Sequence, residues 1–227
     1  MQPSSYHFFP LAFPFVLALV FLIGLVIALI EVGILEYAYA KMGIHRRYVF
    51  TVLILSLLGS YVNIPVAELP AEQVLSHREV MFFGMRYVVP MVQEWPRTVI
   101  AVNVGGAVIP VLLSLYLLVK NAMLGRTLLG VAIVTVIVHW MASPVRGVGI
   151  AVPIFIPPVV AAGVALLLAR QSAPSVAYIA GSLGTLIGAD LLNLGKLQGL
   201  GAPIASIGGA GTFDGIFVTG ILAVLLA

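Results

Sequence analysis

From Leu11 to Ile30 the chain runs for twenty residues without a charged side chain. That is the length a helix needs to cross a hydrocarbon core of roughly 30 Å at about 1.5 Å per residue. Similar runs recur to the end of the sequence, and they constrain the fold more than any other feature. With 11 basic and 8 acidic residues in 227, there is too little charge to cover a water-facing surface. Soluble domains carry about 25% charged residues, against 8% here. A soluble enzyme, a nucleic-acid binder and a disordered tail are thereby excluded. Ten-residue segments of alternating polarity are lacking, which argues against a membrane barrel. The expected class is all-α: a polytopic membrane protein of about seven transmembrane helices, forming one domain over residues 1–227.

Seven apolar segments carry that expectation: Leu11–Ile30 (extending toward Tyr39), Tyr48–Val66, Thr98–Val119, Thr127–Met141, Val148–Ala169, Pro174–Leu192 and Phe213–Ala227. Residues 1–10 contain no Lys or Arg, so the first run reads as a retained span rather than a cleaved leader. Pro65 is expected to close the second span. Between spans two and three lies the polar stretch Glu68–Arg97, and within it Met81–Val92 reads as an interfacial or re-entrant piece. The basic residues divide between Lys41, Arg46, Arg47, Lys120, Arg126 and Arg170 on one side and Arg78, Arg86, Arg97, Arg146 and Lys196 on the other. The dense 41–47 turn and the glutamates of the second group place the first side in the cytoplasm, the N-terminus outside and the C-terminus inside.

The sequence has two aspartates, Asp190 and Asp214. One stands near the end of the sixth span and the other at the start of the seventh, so an antiparallel hairpin brings both to one depth. A carboxyl inside the bilayer costs about 2.5–3.5 kcal/mol on insertion scales, and such residues mark functional sites. Two adjacent carboxyls share a proton. The ionised member can activate water while the protonated one polarises a peptide carbonyl. Capping explains Asp214 alone equally well, and the pair could instead take up protons or ions. The connector between them holds six glycines (195, 199, 201, 208, 209 and 211), with Gly215 directly after Asp214, and one charge, Lys196. It is expected to fold back against the helices over residues 195–211.

Gly188-Ala189-Asp190 and Gly211-Thr212-Phe213-Asp214-Gly215 resemble the paired motifs of the intramembrane aspartyl proteases, the group of presenilin, signal peptide peptidase and prepilin peptidase. The resemblance implies a catalytic pair, Asp190 and Asp214, acting on a transmembrane peptide. Phe213 stands where those proteases have glycine, Ala189 where they have tyrosine, and their Pro-Ala-Leu element has no counterpart. From NVGGAVIP onward the chain also resembles an uncharacterised prokaryotic family of multispanning proteins, which implies a prokaryotic plasma membrane and no particular activity.

Other candidates are fewer. Gly105-Gly106 with Pro110, and Pro153 with Pro157-Pro158, interrupt apolar segments as the discontinuous helices of transporters do. Asn63, Asn103 and His139 are the polar groups near them. This pattern sustains the alternative of a proton- or ion-coupled carrier or channel using the same carboxylates; a membrane structural or assembly protein is the third reading. Cysteine is absent, and the histidines have no metal-ligand spacing, so neither metal nor cofactor is expected. Glu31 and Glu36 read as solvated acids at a helix end. The expected partners are the lipid bilayer and a transmembrane peptide substrate, with no nucleic acid.

Overall fold

The computed structural model describes residues 21, 24, 28, 31–70, 72–82, 85–95, 97–145, 149–197, 204–209 and 215–227. Helices dominate. They are α1 (residues 31–41), α2 (Arg46–Gly59), α3 (Ile109–Asn121), α4 (Leu124–Met141), α5 (Ile156–Leu168), α6 (Ala173–Thr185) and α7 (Gly215–Leu226). Among the described residues, three continuous helical stretches are long and apolar enough to cross a membrane: Val104–Asn121, Leu124–Met141 and Arg170–Lys196.

The helices alternate in direction, and cross-links between their ends show where they meet. Lys120 donates to the Gly43 carbonyl, Lys41 Nζ lies 3.5 Å from the Val224 carbonyl and Ser175 Oγ lies 3.5 Å from the Met42 carbonyl. The α1–α2 turn, the end of α3, the start of α6 and the end of α7 therefore share one face. That face carries Lys41, Arg47 and Lys120, each over a tyrosine ring (Tyr37, Tyr48 and Tyr116). Such pairs suit a membrane interface, where amphipathic side chains hold a charged end in water.

Helix α6 is the axis of the bundle. Its contacts with α4, α5 and α7 run through small residues: Ala161, Ala165, Ala173, Ala177, Ala180 and Ala223 are all buried. A Cβ on Gly184 would lie 2.7 Å from that of Val134. Small side chains permit this approach and replace hydrophobic driving force with close packing, as membrane helices require. Large apolar side chains point outward instead, among them Trp140 and Leu167, 88% and 87% exposed.

Among the described residues seven strands accompany the helices, which the all-α expectation lacks. β1 (Asn63–Leu69), β4 (Thr98–Asn103) and β7 (Ile204–Ile207) form a sheet in the order β1-β4-β7, antiparallel then parallel. β2 (Glu72–Phe82) and β3 (Met85–Trp95) pair with each other, as do β5 (Ser143–Val145) and β6 (Gly149–Ala151). Several sequence boundaries change accordingly. Met81–Val92, expected as an interfacial or re-entrant piece, lies within the β2–β3 hairpin; its valine- and aromatic-rich composition favours a strand. The second span closes at Gly59, and Pro65 sits in β1 beside a register shift. β1 is an edge strand, where a residue without an N–H is tolerated. The third segment begins as β4, not as helix.

The prolines do not break helices either. Pro157 stands in the first turn of α5, where the missing N–H has no partner to lose, whereas Pro110 stands inside the continuous helical stretch Val104–Asn121, just after its π turn. At both expected interruptions a strand leads into helix, before α5 by way of Pro153, and before α3 through the π turn that holds Gly105 and Gly106.

A candidate site around Asp190

Below Thr185 the α6 helix loosens. Leu186–Asp190 form a π-helical turn and Leu191–Lys196 a 3₁₀ helix. Turns of the first kind often accompany functional sites because they redirect side chains and release backbone carbonyls. Here the fully buried Asn193 gathers them: its Nδ2 lies 2.9 Å from both the Gly188 and Ala189 carbonyls. The two carbonyls fix the amide's orientation, because a reversed amide would set oxygen against oxygen. From α4, His139 Nδ1 stands 3.3 Å from the Gly188 carbonyl and 3.2 Å from Asn193 Nδ2. His139 is thus turned toward the end of α6, while the neighbouring Trp140 faces outward.

This support holds Asp190 at the wall of a cavity of about 350 Å³. Thr98 of β4, Thr185, Ser206 of β7, Gly149 of β6 and Gly215 of α7 complete its polar and backbone lining. Asp190 Oδ2 accepts from the Gly208 N–H at 2.8 Å. Gly208 has φ +89°, and a Cβ there would lie 2.6 Å from the Ala107 N. Both the left-handed backbone and the close approach call for glycine. Thr185 Oγ1 is buried without a hydrogen-bond partner, and the residue lines the same cavity as Asp190.

The sheet is fastened beneath the cavity by two asparagines. Asn103 Nδ2 donates to the Ser60 carbonyl at 2.7 Å and to Asn63 Oδ1 at 3.1 Å, and its Oδ1 accepts from the Gly106 N–H at 2.8 Å. Ser206 Oγ donates to Asn63 Oδ1 at 2.6 Å. Asn63 and Asn103 therefore hold β1, β4, β7 and the π turn Val104–Val108 together.

Asp214 lies outside the described residues. Its neighbour in sequence, Gly215, lines the cavity that Asp190 lines. The glycine-rich connector is described at 204–209, where it forms β7, buries Ile207 and supplies Gly208 to Asp190; residues 198–203 and 210–214 lie outside the described set. Among the described residues no group of His, Cys, Asp or Glu could hold a metal ion. Sequence reasoning missed Thr185, Asn193 and Ser206, and named Gly208 only as one glycine of the connector. The run of polar residues at intervals along α6 was a usable signal for Thr185; nothing local marks Asn193.

A family model described as "Protein of unknown function (DUF1614)" matches residues 57–226. No curated protein and no solved structure matches the chain.

Proposed function

Starting from the fact that this chain belongs to the DUF1614 family, whose description assigns no activity, we propose that it is an intramembrane aspartyl peptidase acting through Asp190 and Asp214. One observation carries the reading: Asp190 lines a cavity together with Gly215, the residue that follows Asp214 in the chain. β7 adds support. It is an edge strand of its sheet and borders the same cavity, so an extended peptide can pair with its outer side, the mode in which a sheet edge receives a substrate strand.

The chemistry follows from two carboxyls and one water. The ionised carboxyl takes a proton from the water as its oxygen bonds to the peptide carbonyl carbon, and the protonated partner gives its proton to the carbonyl oxygen. The tetrahedral adduct then breaks its C–N bond as a proton passes to nitrogen. The Gly208 N–H orients Asp190 throughout. Seven membrane crossings, with the basic face in the cytoplasm and the chain in a prokaryotic plasma membrane, belong to the same proposal.

The test is cleavage of membrane-spanning peptides by purified protein in detergent, without an ion gradient. Wild type should cleave, while Asp190→Asn and Asp214→Asn should each abolish cleavage without loss of folding. An amide cannot be the ionised base, and the double variant should be no worse than either single one. Activity that needs sealed vesicles and a gradient would favour the ion-coupled carrier. Full activity in both variants would leave the carboxyls with capping and packing alone, as in a structural or assembly protein.

A further inference from the structure

A second cavity, of about 230 Å³, lies on the other side of the first turn of α7. Ile216 faces the Asp190 cavity and the next residue, Phe217, faces this one. Its walls are apolar: Val32 and Leu35 of α1, Phe50, Leu53 and Leu57 of α2, and Phe217. Two polar side chains of α1 and α2 line it as well. One is Glu31; the other is Ser56, whose Oγ is buried with no hydrogen-bond partner.

Glu31, expected as a solvated acid at a helix end, is exposed but does not stand at the end of its helix. The helix continues through residue 41, so Glu31 lies ten residues, about 15 Å, from the basic face. Ser56 stands ten residues beyond Arg46 on the antiparallel α2, at the same depth. Half the thickness of a hydrocarbon core is about 15 Å. Glu31 is therefore an exposed carboxyl near the bilayer centre, on an apolar cavity. A carboxylate there is costly without a cation to meet it, and no described basic residue makes an ion pair with it.

We infer that this cavity binds a lipophilic amine, with its alkyl body against Phe50, Leu53, Leu57 and Phe217 and its ammonium group on Glu31. The complementarity lies in the chemistry of the two ends. An apolar lining removes hydrocarbon from competing polar contacts, and a carboxylate in a low-dielectric setting selects a donor that carries positive charge. Ser56 Oγ offers the ammonium or a neighbouring hydroxyl a second partner. A fatty acid, whose head is an anion, would be repelled. The inference is independent of the peptidase reading.

The probe is radiolabelled dodecylamine, bound to the whole chain in zwitterionic nanodiscs, with binding to empty discs subtracted. Wild type should bind it saturably, one per chain. Glu31→Gln should weaken binding at least about tenfold, the scale of a lost charge-assisted hydrogen bond. Neutral dodecanol should bind both proteins alike. Leu53→Trp, or Ile54→Phe if the first fails to fold, should abolish amine binding by filling the cavity. Unsaturable binding to wild type, equal amine affinity in Glu31→Gln, or an equal loss for dodecanol would overturn the inference.

Discussion

The two cavities flanking the first turn of α7 are built from different materials. The Asp190 cavity is walled largely by backbone-rich elements: the π turn and 3₁₀ helix below α6, strands β4, β6 and β7, and the glycines 149, 209 and 215. Its carboxyl is held by a backbone N–H. The Glu31 cavity is walled mainly by side chains of α1, α2 and α7, with Ser60, Gly105 and Gly106 completing the lining, and no hydrogen bond from a described backbone N–H supports its acid. The difference teaches where each kind of construction is useful. Irregular backbone within a membrane protein is tolerated where it lines a cavity, and its N–H and C=O groups can orient a reacting group. Regular helices leave no such groups free, so they make a shaped apolar surface that can bind but cannot align a reaction.

The sharpest way to break this contrast is to remove the two acids in turn. Asp190→Asn should lower peptidase activity at least about a hundredfold, the lower scale of general acid–base catalysis. Glu31→Gln should leave the same cleavage assay unchanged. Equal losses would mean that the cavities are one site.

Backbone support gives the next largest effect. Gly208→Ala forces a Cβ to 2.6 Å from the Ala107 N at φ +89°. It should cost about 2–4 kcal/mol, from left-handed strain together with overpacking. Thermal unfolding in detergent measures this, and cleavage should fall as well because Asp190 loses its donor's position. An equivalent glycine replacement on the helical side, Gly33→Ala, meets no atom within 4 Å and should leave the unfolding temperature unchanged or slightly raised.

Asn193→Leu comes next. It removes both hydrogen bonds to the Gly188 and Ala189 carbonyls and should destabilise the chain by about 1–3 kcal/mol. The fall in cleavage should exceed what unfolding explains, since the carboxyl on the loosened turn loses its alignment. The smallest effect belongs to Arg97→Ala. Its 3.6 Å pair with Glu68 is mostly exposed, and such pairs contribute about 0–1 kcal/mol before screening.

The helices were more legible in the sequence than the irregular elements. Long apolar runs announce membrane helices, and among the described residues each of those runs contains helix, with three stretches of spanning length. Asp190 was legible because a lone acid in apolar surroundings is rare and expensive. Its setting was not. β4 and β7 pair in parallel across about a hundred residues of intervening chain, and no local pattern records that partnership. Valine- and isoleucine-rich stretches such as TVIAVN suit strand and membrane helix alike, so β4 read as the beginning of a span. Pro110 and Pro157 read as breaks because a proline marks either an interruption or a beginning, and only the neighbouring strands decide which. Glu31 was misread for a related reason: its depth depends on where the helix ends, and Lys41 fixes that end through the Val224 carbonyl on α7.

The central claim is that Asp190 and Asp214 act together on one side of the α7 turn, with Glu31 on the other. Intramolecular cross-linking tests it most directly. Cysteines replace the acids in pairs in this naturally cysteine-free chain, and a bifunctional thiol reagent bridging about 8 Å, a little beyond one-water contact between two groups, is applied in nanodiscs. Rapid cross-linking is expected of Asp190→Cys with Asp214→Cys, and none of Asp190→Cys with Glu31→Cys. Failure of the first pair in a folded protein whose single cysteines both react with the reagent, or equal cross-linking of the two pairs, would contradict it.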